Sequence, residues 1–365
     1  MTNKLTESSL KYLLVQTAIG DYRQKVMDEL VARLGSDLFV LVGNEYFEES
    51  TKTRVSLPDN MSVISNVFLI SRKFLFQPSA IVPSIKAKKL IMELNPRIIS
   101  VWFVLIARIL LLRRTVLWGH AWPRGGKNKR SDVVRGLMRQ LASHVLVYTD
   151  TQKCELKEKM PRKSISSAPN SIFSSADMWV PDRTRDKFIY VGRLVSAKKP
   201  RLMIRAYREA LEIRELGDLI VIGDGPERKR CESLAAELGI EDRVKFLGHE
   251  ADVNRLRELY AESVASLSPG YVGLSITQSF SFGTPMIISD DEPHAPEIEA
   301  ASKNVNCLFF EADSLEDLAR KMVAFWDGRS DWSRKSSSII ENCKERYSAE
   351  VMAERILEAF DTCKP

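Results

Sequence analysis

The sequence predicts an α/β protein built from two domains, each with a mostly parallel sheet and helices on both faces. The chain has 365 residues, which is more than one ordinary hydrophobic core accommodates. Apolar segments of strand length alternate with helical periodicities in both halves, and this alternation is typical of parallel sheets. A polar stretch containing a proline, residues 174–187, separates the halves. Two such domains placed face to face would leave a cleft between them, with ligands at the carboxyl ends of the strands.

The individual elements follow from periodicity and turn residues. In the first half we predict strands at 12–17, 37–42, 61–65, 97–102, 115–119 and 145–149, and helices up to Leu34 and at 104–112 and 131–142. Residues 68–94 indicate a loop and an amphipathic helix. In the second half we predict strands at 188–191, 219–222, 244–247, 264–267 and 286–289, and helices at 201–213, 227–238, 254–262, 274–282, 314–326 and 349–362.

These elements predict the domain boundaries. The first domain is expected at residues 1–175 and the second at 188–345, joined by a linker at 176–187. Residues 346–365 are expected to form a C-terminal helix, and one possible arrangement packs this helix against the first domain.

Charge is divided unevenly along the chain. Residues 1–175 contain 27 Lys and Arg against 14 Asp and Glu, whereas the remainder contains 27 against 34. The excess is largest between Arg108 and Arg139, where Asp132 is the one acid among nine basic residues, at positions 108, 113, 114, 124, 127, 129, 130, 135 and 139. Such a stretch, preceded by apolar and basic residues at 68–89, favours contact with an anionic membrane surface. A solvated basic face is the alternative.

Composition excludes several other classes of protein. A hydrophobic content of 44% and a charged content of 28% are typical of a globular protein. The first residues contain no apolar run, so we expect no signal peptide. The most apolar window, 100–112, is interrupted by Arg108 and is too short to span a bilayer. Five cysteines lie far apart without a CxxC pair, which argues against a disulfide framework or a zinc site. The basic stretch lacks interleaved aromatics, so nucleic acid is not expected.

The segment around residues 188–200 has the pattern of an anion site. The apolar run FIYV predicts a buried strand, Gly192 ends it, and Arg193 and Lys198 follow at a spacing of five before a helix that begins at Pro200. Backbone N–H groups and the helix dipole favour an anion there, and the two cations would neutralise it. The segment therefore predicts a diphosphate site, with a plain strand-to-helix loop as the alternative.

Further motifs stand in a fixed order along the chain. The second half contains VGRL with a following Lys, VIGDGPER, DRVKFLGH, SPGYVGLSITQSFSFGTPMIIS and APEIE. The first half adds Tyr22-Arg23, LWGH at 117–120, VLVYTD at 145–150 and APNSI at 168–172. Together they resemble the family-4 retaining glycosyltransferases of the GT-B fold, in which two Rossmann-like domains face each other across a cleft. The resemblance is strongest over residues 188–299.

The resemblance implies roles for individual residues. Arg193 and Lys198 would hold the diphosphate of a nucleotide-sugar donor and stabilise the charge of the leaving group without a metal. His120 would face the donor sugar. Donor binding would involve Gly192, Gly223, Asp224, Gly225, Gly270, Tyr271, Val272, Gly273, Leu274, Gln278 and Glu297. A structural turn at Asp224 and a charge complementing a helix end at Glu297 are the alternatives for those two residues.

The sequence also departs from the family pattern. The family usually has two glutamates, near the donor sugar and on the ribose hydroxyls, where this chain has Gly270 and Gln278. Glutamine still offers an acceptor and two donors, whereas glycine offers only its backbone. The usual Gly-Gly before the later Pro-Glu is replaced by Pro293-His294. These departures keep open a second hypothesis, a non-catalytic GT-B partner subunit that binds a nucleotide sugar.

The first hypothesis is a retaining glycosyltransferase of bacterial-type surface polysaccharide assembly, needing no metal or cofactor. Its partners would be a nucleotide sugar, a glycan or lipid-linked acceptor and an anionic membrane surface, from a cytoplasmic position peripheral to the inner face of the membrane. Asp290, Asp291 and Glu292 lack partners at ligand spacing and are interpreted as a solvated loop. No Ser/His/Asp or Cys/His arrangement predicts a covalent nucleophile.

Overall fold

The computed structural model describes residues 10–47, 52–123, 126–127 and 131–362. Arg124, Lys129 and Arg130, named above, lie outside these ranges, as does Cys363, one of the five cysteines. The chain divides into two compact units, residues 1–172 with 349–365 as unit 1 and residues 173–348 as unit 2. The linker predicted at 176–187 lies inside unit 2. In the described ranges no helix is both long and apolar enough to cross a bilayer.

Unit 1 is organised around a parallel sheet in the order β3-β2-β1-β6-β7-β8-β9. Leu14 on β1 lies beside Val40 on one neighbour and Ile91 on the other. A short antiparallel hairpin, β4 with β5, stands apart from this sheet. The strands are β1 Tyr12–Gln16, β2 Leu38–Gly43, β3 Met61–Ile64, β4 Val67–Leu69, β5 Phe74–Phe76, β6 Lys89–Glu93, β7 Val116–Trp118, β8 His144–Val147 and β9 Ile165–Ser167. The helices are α1 Gln24–Leu34, α2 Pro78–Lys86, α3 Ile99–Leu110, α4 Ser131–Leu141 and α5 Asp150–Lys159.

Unit 2 contains a second parallel sheet, in the order β12-β11-β10-β13-β14-β15. Its strands are β10 Lys187–Val191, β11 Leu219–Ile222, β12 Val244–Gly248, β13 Ser263–Ser268, β14 Met286–Ser289 and β15 Cys307–Phe310. Its helices are α6 Pro200–Ile213, α7 Arg228–Glu237, α8 Val253–Ala261, α9 Ser275–Ser281, α10 Leu315–Asp327, α11 Arg329–Arg334 and α12 Ser336–Tyr347. Strands β11, β13 and β14 are buried along their whole length, as expected for a sheet covered on both faces.

The last helix, α13 Ala349–Asp361, belongs to the core of unit 1. Its apolar face packs with Leu14, Val26 and Met27 in one hydrophobic cluster. The Phe360 ring meets the Tyr12 ring edge-on, with centroids 5.3 Å apart. This helix therefore covers one face of the first sheet although it lies at the far end of the chain.

Several element predictions were wrong. Residues 97–102, predicted as a strand, contain the beginning of α3, and the strand that pairs with β1 is β6, inside the segment predicted as loop and helix. A short apolar run such as IISVWFVL satisfies strand and helix templates alike, so periodicity alone did not decide. The prediction also missed α5, which is largely polar, and β15, α11 and α12. The predicted class, α/β with two parallel sheets flanked by helices, is confirmed.

Candidate active site

In unit 2 the strand β10 leads into the segment that the sequence predicted as an anion site. A turn of 3₁₀ helix, Ser196–Lys198, follows Arg193, and α6 then begins with proline at its first position. Arg193 is exposed, whereas Lys198 is half-buried. The Lys198 Nζ donates to the carbonyl oxygen of Tyr271 at 2.6 Å and lies 3.8 Å from the centroid of the Tyr271 ring. The ammonium is therefore held at the end of the strand by the loop that follows β13.

The electrostatics of Lys198 are unusual for a lysine. Burial, and then the positive charge of Arg193, lower the pKa of Lys198 to about 8, while the carboxylate of Glu297 acts in the opposite direction. A half-buried ammonium that also experiences the positive charge of Arg193 favours an anionic ligand, because the ligand's charge offsets this repulsion. Chemically, the pair suits a diphosphate.

The turn at Gly223–Gly225 lies against this segment. A Cβ added at Gly223 would lie 2.0 Å from the carbonyl oxygen of Gly192, and one at Gly225 would lie 2.3 Å from that of Leu194. Both glycines also have positive φ, at 125° and 156°. Only glycine lets the two backbones approach so closely. The Asp224 side chain accepts from the Gly225 N–H at 2.7 Å and lies 3.5 Å from Arg228, so the structural role proposed as its alternative is present.

The loop after β13 contains Gly270, Tyr271, Val272, Gly273 and Leu274 and leads into α9. The Val272 N–H donates to Nδ1 of His294 at 2.9 Å, and its carbonyl accepts from the Ala295 N–H at 2.9 Å. The His294 Nε2 lies 3.0 Å from the carbonyl oxygen of Ser289. Burial lowers the pKa of His294, so the ring is neutral at pH 7 with its proton on Nε2. His294 thus joins the loop after β13 to the loop after β14.

Lys199, the residue after Lys198, forms an ion pair with the loop that follows β14. Lys199 has a left-handed backbone, with φ of 50°. Its Nζ pairs with Glu292 and, at 2.6 Å, with Asp313. The Glu292 side chain is 7% exposed. The expectation of a fully solvated loop is therefore wrong for Glu292, although Asp290 and Asp291 are exposed. No group of three or more His, Cys, Asp or Glu able to hold a metal occurs in the described parts of the chain.

The remaining predicted donor-binding residues lie on neighbouring elements of unit 2. Gln278 is half-buried on α9, and Glu297 is buried in a short 3₁₀ helix at Pro296–Ala300. In the structure Lys198 is hydrogen-bonded to Tyr271, and the charges of Arg193 and Glu297 act on the pKa of Lys198. Sequence reasoning missed the linking roles of His294 and Lys199. The replacement of the usual Gly-Gly by Pro293-His294 was the signal that could have indicated the role of His294.

Unit 1 has its own group of polar side chains at the carboxyl ends of its strands. His120 follows β7, is exposed, and has its ring centroid 4.7 Å from that of Tyr148. Glu93 ends β6 and accepts from the Thr17 N–H and from the Tyr46 hydroxyl, both at 3.1 Å. Sequence reasoning missed Glu93 because it did not recognise β6 as a strand.

At the same edge of the sheet, the buried side chain of Arg23 lies over an aromatic ring. The Arg23 guanidinium lies 4.5 Å from the centroid of the Trp118 ring. It also donates to the Asn170 side chain at 3.1 Å. The motifs Tyr22-Arg23, LWGH and APNSI therefore meet in unit 1, as strands that end at one edge of a parallel sheet require.

Comparisons with known proteins agree with this geometry. Residues 176–346 match the family model described as "Glycosyl transferases group 1". The lipopolysaccharide core biosynthesis glycosyltransferase LpsD of Rhizobium meliloti (strain 1021) is 28% identical over 188 residues, which are 51% of this chain and 52% of LpsD. A lipopolysaccharide 1,6-galactosyltransferase of Salmonella typhimurium is 30% identical over 148 residues, 37% of this chain and 40% of the relative. These matches span about half the length of the relatives or less.

Solved structures show the fold over nearly the whole chain. Anabaena HepE, crystallised with UDP, superposes with a TM-score of 0.71 at 15% identity, covering 96% of this chain and 100% of HepE. The apo form of the lipopolysaccharide outer core galactosyltransferase WaaB superposes with a TM-score of 0.65 at 15% identity, covering 96% and 99%. At such identities the likeness concerns the fold. The chain therefore has the fold of HepE and WaaB, the GT-B fold, and its residues 176–346 are similar to the group 1 glycosyl transferases.

Proposed function

We propose that this protein transfers a sugar from a nucleotide-sugar donor to a glycan or lipid-linked acceptor with retention of configuration and without a metal. The observation that supports this most directly is the Arg193–Lys198 pair at the carboxyl end of β10, with the Lys198 ammonium held 2.6 Å from the Tyr271 carbonyl. These residues lie inside the segment that matches the family model. The donor-binding roles of the other residues named from the sequence are part of the same proposal.

In this proposal the two cations bind the donor diphosphate and stabilise it as it leaves. The bond between the anomeric carbon and the diphosphate oxygen breaks, and the acceptor oxygen bonds to that carbon on the same face. The acceptor's proton passes to the departing phosphate oxygen, so no protein base is required. Positioning and charge stabilisation in a desolvated site then supply the rate.

We infer that the donor carries UDP. HepE was crystallised with UDP and with UDP-glucose. Because Gly270 offers no carboxylate to the sugar, hydroxyl recognition rests on backbone groups of the loop at 270–274 and on Gln278. Gln278 can accept from one ribose hydroxyl and donate to another, which keeps nucleotide binding possible without the usual glutamate.

For the acceptor we infer a sugar of a surface polysaccharide. LpsD and the Salmonella enzyme are both named for lipopolysaccharide synthesis. Glu93 and His120, at the carboxyl edge of the first sheet, are candidates to bind acceptor and donor hydroxyls respectively. A lipid-linked acceptor would place the enzyme at the inner face of a membrane, as the basic first half suggested.

The test measures binding and release of UDP by the whole chain. Calorimetry with UDP, GDP and dTDP, followed by an assay of UDP released from UDP-sugars, should show preferential UDP binding and slow donor hydrolysis. Arg193→Ala should lower hydrolysis by about a hundredfold or more. Arg214→Ala is the matched control, because this exposed residue at the end of α6 pairs with Asp327. Equal losses in both variants, or no binding of any nucleotide, would contradict the proposal.

The second candidate, a non-catalytic partner that only binds the nucleotide sugar, is favoured by Gly270 and Gln278. It predicts tight UDP-sugar binding that depends on Arg193, with no UDP release under any acceptor tested. Turnover that disappears with Arg193→Ala would exclude it.

A further inference from the structure

The basic stretch between Arg108 and Arg139 was expected to meet an anionic membrane surface through its charges. The structure shows that not all of these charges are available. Arg108 is fully buried: its guanidinium donates to the carbonyls of Ser84, Ala87 and Arg114 and to the Thr115 hydroxyl, at 2.5–3.0 Å. Arg139 is also fully buried and pairs with Asp132 at 3.0 Å. Two of the nine cations are therefore internal, and they cannot meet an anionic partner.

Apolar side chains take the outer positions of the same stretch. On α3, Phe103, Ile106 and Leu110 follow one another at helical spacing and are 56%, 51% and 78% exposed. At the end of this helix Leu111 is 56% and Leu112 is 94% exposed. Helix α4, which contacts α3, adds Val133, Val134 and Leu137 at 49–76%. We call this set the α3–α4 apolar face.

Unit 1 also exposes apolar side chains on and beside the β4–β5 hairpin, among them Val67, Ile70 and Phe74, whereas unit 2 has no comparable group among its described residues. Among the described residues of unit 2, the exposed large apolar side chains are scattered over separate elements: Trp179, Ile213, Leu247 and Val305. Single exposed apolar residues are normal, whereas a group on adjacent helices marks a surface that meets an apolar partner.

Charge around the α3–α4 apolar face indicates which partner. Arg113 and Arg114 directly follow Leu112 and are exposed, and their guanidinium groups donate to the carbonyls of Lys86 and Thr362. Within the described ranges neither forms an ion pair. Between residues 94 and 149 the sequence has a single acid, Asp132, which is buried against Arg139 and Lys159. Exposed apolar side chains next to the exposed cations Arg113 and Arg114 match the boundary between acyl chains and headgroups in an anionic bilayer.

We propose that the α3–α4 apolar face inserts into the surface of an anionic lipid bilayer, with Arg113 and Arg114 at the level of the phosphates. Attachment then depends on buried apolar area first and on charge second, the reverse of what the sequence suggested. A second copy of the chain fits this face less well, because a two-fold interface would bring the same arginines together. The inference concerns the place of the proposed reaction but does not depend on sugar transfer.

The experiment is sedimentation of the whole chain with vesicles of phosphatidylcholine alone and of phosphatidylcholine with phosphatidylglycerol in equal parts. Wild type should pellet with the mixed vesicles and keep part of this binding in high salt. The variant Leu110→Ser with Leu112→Asn should bind the mixed vesicles more weakly by a factor of roughly ten or more. Leu112 has φ of 55°, a conformation that asparagine tolerates well, so the fold should be unaffected.

The matched control is Ile213→Ser with Val305→Ser, which removes two side chains of unit 2 that are 59% and 58% exposed. Thermal unfolding of each variant checks the fold. The proposal is overturned if wild type stays in solution, if the control loses as much binding, or if salt alone removes all binding while the apolar variant behaves as wild type. A changed oligomeric state in the apolar variant with unchanged vesicle binding would instead indicate a protein interface. Arg193→Ala should bind vesicles normally, so this inference and the proposed activity fail separately.

Discussion

The backbone of Gly270 lies directly against that of Lys198: a Cβ built on Gly270 would come 2.8 Å from the Lys198 Cα and 2.4 Å from the carbonyl oxygen of Ala197. The resemblance noted in the sequence places Gly270 where the group 1 enzymes usually have a glutamate. The absence of a side chain at 270 and the placement of Lys198, the lysine proposed to bind phosphate, are therefore one structural feature, because a side chain at 270 would displace the segment that contains Lys198.

We therefore expect that restoring the family residue does not restore a family-like site. Gly270→Ala and Gly270→Glu should each lower the free energy of unfolding by about 1–3 kcal/mol, because backbone atoms must move. Both should weaken UDP binding. Gly273→Ala is the stability control, since its Cβ would meet nothing within 4 Å and its φ is not in the left-handed region. Chemical denaturation and UDP titration measure the two effects. A Gly270→Glu variant with unchanged stability and unchanged UDP binding would contradict this prediction.

UDP binding should depend on pH through Lys198. Because burial and Arg193 lower the pKa of Lys198 to about 8, the free protein loses this positive charge as the pH rises through that value. The UDP dissociation constant should rise by about twofold between pH 7 and 8 and by up to about tenfold per pH unit above 8. A bound diphosphate raises the pKa of Lys198, so binding takes up a proton in this window, measurable by calorimetry in two buffers.

Lys198→Arg is the matched control for that profile. Arginine stays charged throughout this range, so its variant should bind UDP with little pH dependence between pH 7 and 9.5, even if more weakly. The same steep pH profile in Lys198→Arg would assign the titration to another group.

His294 should act on donor binding by holding the Val272 N–H. His294→Ala leaves this buried donor and the Ser289 carbonyl without their partner, at a cost of about 1–3 kcal/mol in stability. The donor KM should rise more than kcat falls, because the loop proposed to bind the donor loses the hydrogen bond that positions it. In His294→Asn the side-chain oxygen can accept from Val272, so partial rescue is expected. A KM unaffected by either change would remove His294 from the site.

Arg108 should contribute to folding and not to membrane contact. Arg108→Met leaves several carbonyl oxygens without a donor and should lower the free energy of unfolding by about 3 kcal/mol or more. Arg113→Ala, at an exposed neighbour, should change stability by no more than about 0.5 kcal/mol and should weaken vesicle binding. Denaturation curves and vesicle sedimentation separate the two; a stable Arg108→Met would contradict the buried network.

Much of unit 2 could be predicted from the sequence because its signals are local. A strand, a glycine turn, two cations and a helix-starting proline stand within 13 residues at 188–200. Prediction was poorer in unit 1, where the strand β6 begins with Lys89 and the apolar helix α3 resembles a buried strand. Missing β6 also hid Glu93, since the role of its carboxylate follows from its place at the end of a central strand.

The contacts of the site could not be predicted because they join residues distant in sequence. The Lys198–Tyr271 and His294–Val272 hydrogen bonds cross separations of 73 and 22 residues. Such partners are chosen by how the strands are ordered in the sheet, and local pattern does not encode that order.

By itself, the sequence determined the α/β class with two sheets and the position of Arg193 and Lys198 between a strand and a helix, because periodicity and turn chemistry are written in neighbouring residues. Tertiary structure alone decided which of the basic residues reach solvent. Arg108 and Arg139 are as charged in the sequence as Arg113, but packing turns the first two inward onto carbonyl and carboxylate oxygens and leaves leucines at the surface. Burial depends on the face of a helix that its neighbours cover, and that is settled only when the helices pack.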